Sequence, residues 1–259
     1  HRVDTHVGEL GIACEACHGP GASHVAANQD PLARYQHRAA TSDATIVNPA
    51  TQLPVRSAQA CGQCHSVSIL RQQHFERWRE DGSPFRPGGD LHATHLVIGA
   101  SDTDAPELAR ELQKNPNFFA SSFWSDGQVR LSGREFNGLR QSPCYAHGDV
   151  KRQMDCTSCH ELHAHDASPA WRDDQLRPGM RGNTACTQCH AQFEAPAALA
   201  AHTHHAPASL GSNCYDCHMS HTSVGLMKAS RSHQVTSPSV QSELAIGTPN
   251  ACNQCHLDR

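Results

Sequence analysis

The chain has 259 residues, with 13 Cys and 21 His but only 3 Trp, 3 Tyr and 7 Phe, and a net charge of −4 at pH 7. This weakly acidic charge disfavours a nucleic-acid-binding protein, which would carry a basic surface. No apolar run approaches the roughly 18 residues that a membrane-spanning helix needs. Because hydrophobic residues make up 37% of the chain, below the roughly 45–50% apolar share of globular domains, we expect something other than side chains to fill the interior.

A five-residue pattern, Cys-x-x-Cys-His, occurs six times along the chain. In chain order its cysteines are Cys14 and Cys17, Cys61 and Cys64, Cys156 and Cys159, Cys186 and Cys189, Cys214 and Cys217, and Cys252 and Cys255. The histidines that close the motifs are His18, His65, His160, His190, His218 and His256. The pattern is the attachment site of c-type haem. Two thiols add to the two vinyl groups of one porphyrin, and the adjacent imidazole becomes the proximal iron ligand, so six motifs predict six covalent haems.

Paired cysteines have two other common uses in proteins, namely zinc binding and disulfide formation. Twelve cysteines could form three Cys₄ zinc sites, or a framework of disulfides. Neither alternative explains why a histidine follows every second cysteine of the pattern. We therefore favour haem, at about one per 43 residues, which makes the porphyrins themselves the expected core. Cys144 lies outside the pattern and is expected to be a small buried apolar residue, although a free thiol could also join chains or serve a partner.

The elements between the motifs are predicted to be short. Residues 66–80 favour a helix, and residues 104–114 read as a capped helix that stops before Asn115-Pro116. Residues 122–131 read as a β-hairpin with a two-residue turn at Asp126-Gly127. The segment before His202 predicts a short helix with Pro196 in its first turn. The remaining sequence is rich in turn residues, so the predicted fold class is irregular loops with short α-helices and a small β-hairpin around a haem core.

The spacing of the motifs divides the chain. A two-haem segment is expected at residues 1–65, an insert with the helix and hairpin at 66–155, and a four-haem cluster at 156–259. These parts are expected to form one continuous haem-cored unit.

The supply of histidine predicts bis-histidine ligation of the irons, since 15 histidines remain outside the motifs and the chain has only 4 Met. A histidine a few residues after its own motif cannot easily reach the distal face of its own haem, and is expected to bind a neighbouring one. His24, His163 and His221 are placed in this way. One of His202, His204 and His205 is also expected to be a ligand, with His205 preferred. The predicted distal set is completed by His233 and by His95, chosen over His74 and His92.

Several longer strings resemble multihaem cytochromes related to hydroxylamine oxidoreductase and to its electron-acceptor cytochrome. They include residues 11–24, 142–145, 202–205, 213–219 and 248–256. The likeness is to a branch associated with tetratricopeptide or other helical repeats. It implies close haem pairs, mostly bis-histidine ligation and export from the cytoplasm. It supports His24, His163, His205 and His233 as distal ligands and gives less support to His221. Relatives often carry further motifs or repeats, so the chain is expected to be a portion of a longer protein.

These observations predict an electron-transfer protein with six low-spin haems, located in the periplasm or outside the cell. Its expected partners are redox proteins or extracellular acceptors, with no nucleic acid and no membrane span. One alternative is a subunit of an extracellular cytochrome filament, or nanowire. Another is an oxidoreductase with one open haem that acts on a small nitrogen or sulfur compound. No catalytic residue is predicted, and an electron carrier is favoured over an enzyme.

Overall fold

A computed structural model describes residues 11–39, 43–163 and 168–257. Short helices joined by irregular segments dominate these ranges, which agrees with the predicted fold class. The α-helices are α1 Cys14–His18, α2 Ala22–Ala27, α3 Pro31–Ala39, α4 Pro54–Gly62, α5 Phe75–Asp81, α6 Leu91–Thr94, α7 Ala109–Lys114, α8 Phe118–Ser122, α9 Glu135–Gln141, α10 Pro169–Asp174, α11 Thr184–Thr187, α12 Pro196–Thr203, α13 Cys214–His218 and α14 Val240–Ile246. Single turns of 3-10 helix lie at Pro49–Thr51, Gln72–His74, Pro106–Leu108, Val150–Arg152, Cys156–Ser158, Ala191–Phe193, Leu210–Ser212 and Cys252–Gln254.

Two antiparallel strand pairs accompany the helices in the described ranges. Strand β1 (Ser68–Leu70) pairs with β2 (His95–Val97), with Ile69 opposite Leu96. Strand β3 (Ser223–Gly225) pairs with β4 (Lys228–Ser230) across a two-residue loop. Each strand has only three residues, so the sheets join segments locally and do not form a layer of their own.

The predicted elements of the insert are partly correct. Residues 66–80 are not one helix, because β1 occupies 68–70 and the helix α5 begins only at Phe75. The helix predicted at 104–114 is confirmed as a 3-10 turn at Pro106–Leu108 that continues into α7. The helix with Pro196 in its first turn is also confirmed, as α12.

The hairpin predicted at residues 122–131 is reduced to one bridge between Phe123 and Val129. Its loop has three residues, and the prediction of a two-residue turn was wrong. The Trp124 amide donates to Gln128 O at 2.8 Å, the Gly127 amide donates to Trp124 O at 3.0 Å, and Gly127 has φ +89°. A turn followed by a left-handed glycine is the common form of such a three-residue loop.

The apolar core lies in the middle of the chain, in two clusters. The first cluster contains Ala58, Phe85, Leu91, Val97, Phe136 and Leu139. The second cluster contains Val67, Ile98, Leu108, Phe123 and Val129. Among the described residues after 155, the buried hydrophobic ones are Ala185, Leu199 and Ala251. The last four motifs therefore lie in a part of the chain with few apolar side chains at its centre.

Helix α9 packs closely against α4 in the middle of the chain and against the backbone near Gln234 in the C-terminal part. A Cβ atom on Gly62 would lie 2.7 Å from the Phe136 ring, so α4 and α9 approach closely only because residue 62 is glycine. A Cβ atom on Gly138 would lie 3.1 Å from the Gln234 backbone nitrogen. The buried Asn137 side chain accepts from the Val67 amide and donates to Ile98 O, both at 2.7 Å. Helix α9 is therefore held firmly beside the second motif.

Candidate haem sites

Each motif forms a tight helical turn that gathers its two cysteines and its histidine. The amide of the closing histidine donates to the carbonyl oxygen of the first cysteine, at 2.9 Å for His65, 2.9 Å for His160, 3.0 Å for His190 and 2.8 Å for His256. The helices α1 and α13 place the first and fifth motifs in the same way. No disulfide joins any of the 13 cysteines. Two thiols and an imidazole on one turn are the donor set that covalent haem c needs.

Neighbouring motifs contact one another in the order of the chain. Gln63, inside the second motif, donates its side-chain amide to Ala16 O in the first motif at 2.6 Å. The second and third motifs meet where α4 packs against the 3-10 turn at Cys156–Ser158. There the Cys61 and Cys156 thiols interact directly, which lowers the pKa of Cys61 and raises that of Cys156.

The contacts continue through the last motifs. Asn183, just before α11, donates to Ser212 O at 2.8 Å and accepts from the Cys214 amide at 3.0 Å, which ties the fourth motif to the fifth. Burial and the neighbouring Cys214 thiol raise the pKa of Cys186 to about 12. Gln254, inside the sixth motif, lies beside the side chain of His221, which closely follows the fifth. These contacts join the first motif to the second, the second to the third, the fourth to the fifth and the fifth to the sixth.

The Nδ1 atoms of several motif histidines are fixed by hydrogen bonds. His18, His160 and His218 donate to the backbone carbonyl oxygens of Val47, Asp174 and Thr236 at 2.6, 3.0 and 2.9 Å. His65 instead donates to the carboxylate of Glu135 at 2.9 Å. With the proton held on Nδ1, the Nε2 atom is left to bind a metal, which is the usual arrangement of ligating histidines.

Four motif histidines lie opposite a second imidazole, and we call each such arrangement a facing pair. The pairs and their ring-centroid distances are His18 with His163 at 5.8 Å, His160 with His233 at 6.3 Å, His218 with His202 at 6.0 Å, and His256 with His205 at 5.9 Å. Histidine nitrogen binds a transition metal at about 2.0–2.1 Å, so two imidazoles on opposite sides of one metal have centroids about 6 Å apart. Each facing pair therefore has the separation that two imidazoles would need to hold one haem iron between them.

Two of the second histidines in the facing pairs, His205 and His233, are also fixed by hydrogen bonds. His205 Nδ1 donates to Thr203 O at 2.7 Å, and His233 Nδ1 donates to Arg231 O at 3.2 Å. Burial lowers the pKa of His233, which favours the neutral form that binds iron.

Three of the predicted distal residues, His163, His205 and His233, thus lie in facing pairs. His163 faces His18 of the first motif and not the His160 of its own, as expected for a histidine that serves a neighbouring haem. His202 faces His218 and was not in the predicted set, where only one of the three histidines in residues 202–205 was expected to be a ligand. The spacing of three residues at the end of α12 is the signal that could have indicated that both His202 and His205 lie opposite motif histidines.

The other predicted distal residues are placed differently. His24 Nδ1 donates to the carboxylate of Asp43 at 2.8 Å, and hydrogen bonds with Thr45 and His24 lower the pKa of Asp43 to about 2. His95, in β2, shares a hydrogen bond of 2.8 Å with Thr94 Oγ1. His221 lies beside the sixth motif. None of the three takes part in a facing pair in the described ranges, and neither do the motif histidines His65 and His190.

The structure also bears on non-haem metal sites, on Cys144 and on membrane-spanning helices. Among the residues that the structure describes, no three His, Cys, Asp or Glu side chains converge on a common point as a non-haem metal site would require. Cys144 is half-buried, and its carbonyl oxygen accepts from the Met154 amide at 3.0 Å. No helix within the described ranges is long and apolar enough to cross a membrane.

Two comparisons relate the chain to known proteins. Residues 147–195, which contain the third and fourth motifs, match the family model of the doubled CXXCH motif. Among solved structures, the chain is similar to the crystal structure of the outer cell wall cytochrome OcwA, with a TM-score of 0.57 and 18% identity. The fold is that of a multihaem c-type cytochrome. The match covers 96% of this chain and 55% of that cytochrome, so the chain spans about half of its length. No curated protein sequence matches the chain.

Proposed function

We propose that the chain binds six covalent haem c groups and transfers electrons along them. The observation that carries this proposal is the set of four facing pairs, in each of which a motif histidine lies about 6 Å from a second imidazole. Haem, when bound, supplies reversible one-electron chemistry at its iron. The contacts between successive motifs support a row of closely spaced haems in the order of the chain.

The side chains of the chain have defined parts in this proposal. The twelve motif cysteines would hold the porphyrins, and the six motif histidines would be the proximal ligands. His163, His233, His202 and His205 would be the distal ligands of the first, third, fifth and sixth haems. His24, His95 and His221 remain the predicted candidates for the second and fourth. The carbonyl partners of Nδ1 keep the imidazoles of His18, His160 and His218 in one orientation, which would limit rearrangement when the charge of the iron changes.

The proposed location is the periplasm or the cell exterior. Covalent attachment of haem c is completed outside the cytoplasmic membrane in bacteria, and the similar structure is an outer cell wall cytochrome. The proposed partners are redox proteins or extracellular acceptors. We also propose the relationship to the hydroxylamine oxidoreductase superfamily that several motif strings indicate.

Haem stoichiometry and spin state test the proposal. Mass spectrometry of the purified holoprotein should show six haems per chain, with haem-bearing peptides from every motif. Optical and EPR spectra should show low-spin iron, and the reduced protein should not bind carbon monoxide. Fewer than six haems would contradict the proposed count. Carbon monoxide binding by the wild-type protein would favour the alternative of an open-haem oxidoreductase, and fibres in electron micrographs would favour the filament.

A pair of variants tests the ligand assignment at the fifth motif. His202→Ala should convert one haem to a high-spin form that binds carbon monoxide, because it removes the imidazole 6.0 Å from His218. His204→Ala is the matched control, since His204 is an exposed residue at the end of the same helix. Low-spin spectra from both variants would show that His202 is not a ligand.

A further inference from the structure

Glu135 makes a contact with the second motif that the other motifs do not share. Its Oε2 atom accepts from His65 Nδ1 at 2.9 Å, and its Oε1 atom accepts from the Gly133 amide at 2.8 Å. The Glu135 side chain is 28% exposed. The carboxylate therefore lies largely out of water, with one oxygen fixed by backbone and the other directed at the imidazole.

At three of the other motifs, the hydrogen-bond acceptor of the histidine Nδ1 atom is neutral. His18, His160 and His218 donate from Nδ1 to backbone carbonyl oxygens. Among the described motif histidines that make an Nδ1 hydrogen bond, His65 is the one with an anionic partner. The structure thus contains its own comparison, because the Nδ1 atom of a motif histidine donates to a neutral carbonyl oxygen in three cases and to a charged carboxylate in one.

The position of Glu135 is enforced by the packing of α9. The Phe136 amide donates to His65 O at 3.0 Å, which joins the start of α9 directly to the motif. The Phe136 ring fills the space over Gly62, and Asn137 is 3% exposed and bonded on both sides. The packing of α9 therefore keeps the Glu135 backbone beside His65, and the Gly133 amide holds the carboxylate in place.

A carboxylate that accepts the Nδ1 proton makes the imidazole a stronger electron donor to its metal through Nε2. Stronger donation and a nearby negative charge both stabilise ferric over ferrous iron, and hydrogen bonding around the ligands is one of the means by which proteins set haem potentials. We propose that Glu135 is a positioning residue that lowers the reduction potential of the haem at the second motif, relative to its value with a neutral acceptor. The inference rests on the proposed function, because it requires a haem at Cys61 and Cys64.

In a row of haems, a lowered potential at the second position has a defined consequence. Electrons that enter the second haem would meet an uphill step that a neutral acceptor behind His65 would not impose. Glu135 is also close enough to His233 for the charges of the two side chains to interact. The main effect is expected at the second haem, which has the direct hydrogen bond.

The test is a spectroelectrochemical titration of the holoprotein and its Glu135→Gln variant. Glutamine keeps the shape and an oxygen acceptor but removes the charge, so one of the six potentials should rise while the others move little. The EPR signal of one low-spin haem should shift as well. Glu76→Gln is the matched control, because Glu76 lies on α5 and its side chain is 86% exposed. It should leave all potentials unchanged.

The outcomes separate this inference from the proposed function. If mass spectrometry finds no haem on the peptide that contains Cys61 and Cys64, the six-haem proposal fails and this inference fails with it. If the haem is present and no potential rises in Glu135→Gln, or if Glu76→Gln produces the same rise, only the role of Glu135 is overturned. Should Glu135→Gln lose haem, Glu135→Asp provides the second variant, since it keeps the charge but is one methylene shorter. A smaller rise of a single potential supports the proposal, and unchanged potentials overturn it.

Discussion

The segment 66–155 and the segment 156–259 differ in what lies in their interiors. The first contains most members of both apolar clusters, including Phe136, Leu91 and Ile98, which are at most 1% exposed. The second contains four motifs, three facing pairs formed by its own residues, and few buried apolar side chains. The comparison teaches that the chain uses an ordinary side-chain core where no motif lies, and brings pairs of imidazoles together where the motifs are dense.

The largest expected effect comes from withholding haem. A chain produced without haem attachment should lose ordered structure in the C-terminal segment, because its interior then lacks the apolar surface that the porphyrins would supply. The two clusters of the middle segment should keep part of their structure. Hydrogen exchange read by mass spectrometry measures both segments at once. If the amides of the C-terminal segment were equally protected from exchange with and without haem, the order of that segment would not depend on haem, and the contrast between the two segments would be wrong.

A smaller effect is expected from Phe136→Ala. Phe136 is 1% exposed in the first cluster, so its truncation should lower the free energy of unfolding by about 3–5 kcal/mol. Phe75→Ala is the control, because Phe75 is 43% exposed on α5 and should cost much less. Chemical denaturation of the holoproteins measures both. Equal losses from the two variants would show that the middle segment has no tightly packed side-chain core.

The smallest of these effects is the dependence on pH of the contact between Glu135 in the middle segment and His65 of the second motif. Burial alone would raise the pKa of Glu135, but its hydrogen bonds with His65 and with backbone amides lower it to about 2. A carboxyl with a lowered folded-state pKa stabilises the fold at pH values above its ordinary pKa of 4.5, and this stabilisation is lost as the pH falls towards 2.

Wild type should therefore be more stable than Glu135→Gln by about 1–3 kcal/mol between pH 5 and pH 8, and this difference should shrink in acid. Thermal unfolding of the two holoproteins across this range measures the difference. The rise in potential expected for Glu135→Gln should be the same at pH 5 and pH 8, because the carboxylate stays ionised throughout. A stability difference that grows in acid would contradict the assigned direction.

Much of the local structure followed from local signals. Proline at the first turn gave α12, and the sequence Asn115-Pro116 gave the end of α7. The error at residues 66–80 has a non-local cause, since β1 forms only because β2 lies beside it, 27 residues away by the pairing of Ile69 with Leu96. The error in the loop at 125–127 arose because Asp-Gly suits both two-residue and three-residue loops, and the bonds of Trp124 decide between them.

The chemistry of the chain was determined by its sequence alone, because attachment of haem c needs two thiols and an imidazole at a fixed spacing, and that spacing is local. The abundance of histidine likewise indicated two imidazoles per iron. Which histidine faces which motif was decided by the tertiary structure: His163 and His18 are 145 positions apart, and His65 and Glu135 are 70 positions apart. A distal ligand and a charged partner are supplied across space by whichever segment packs there, so no local pattern of residues could specify them.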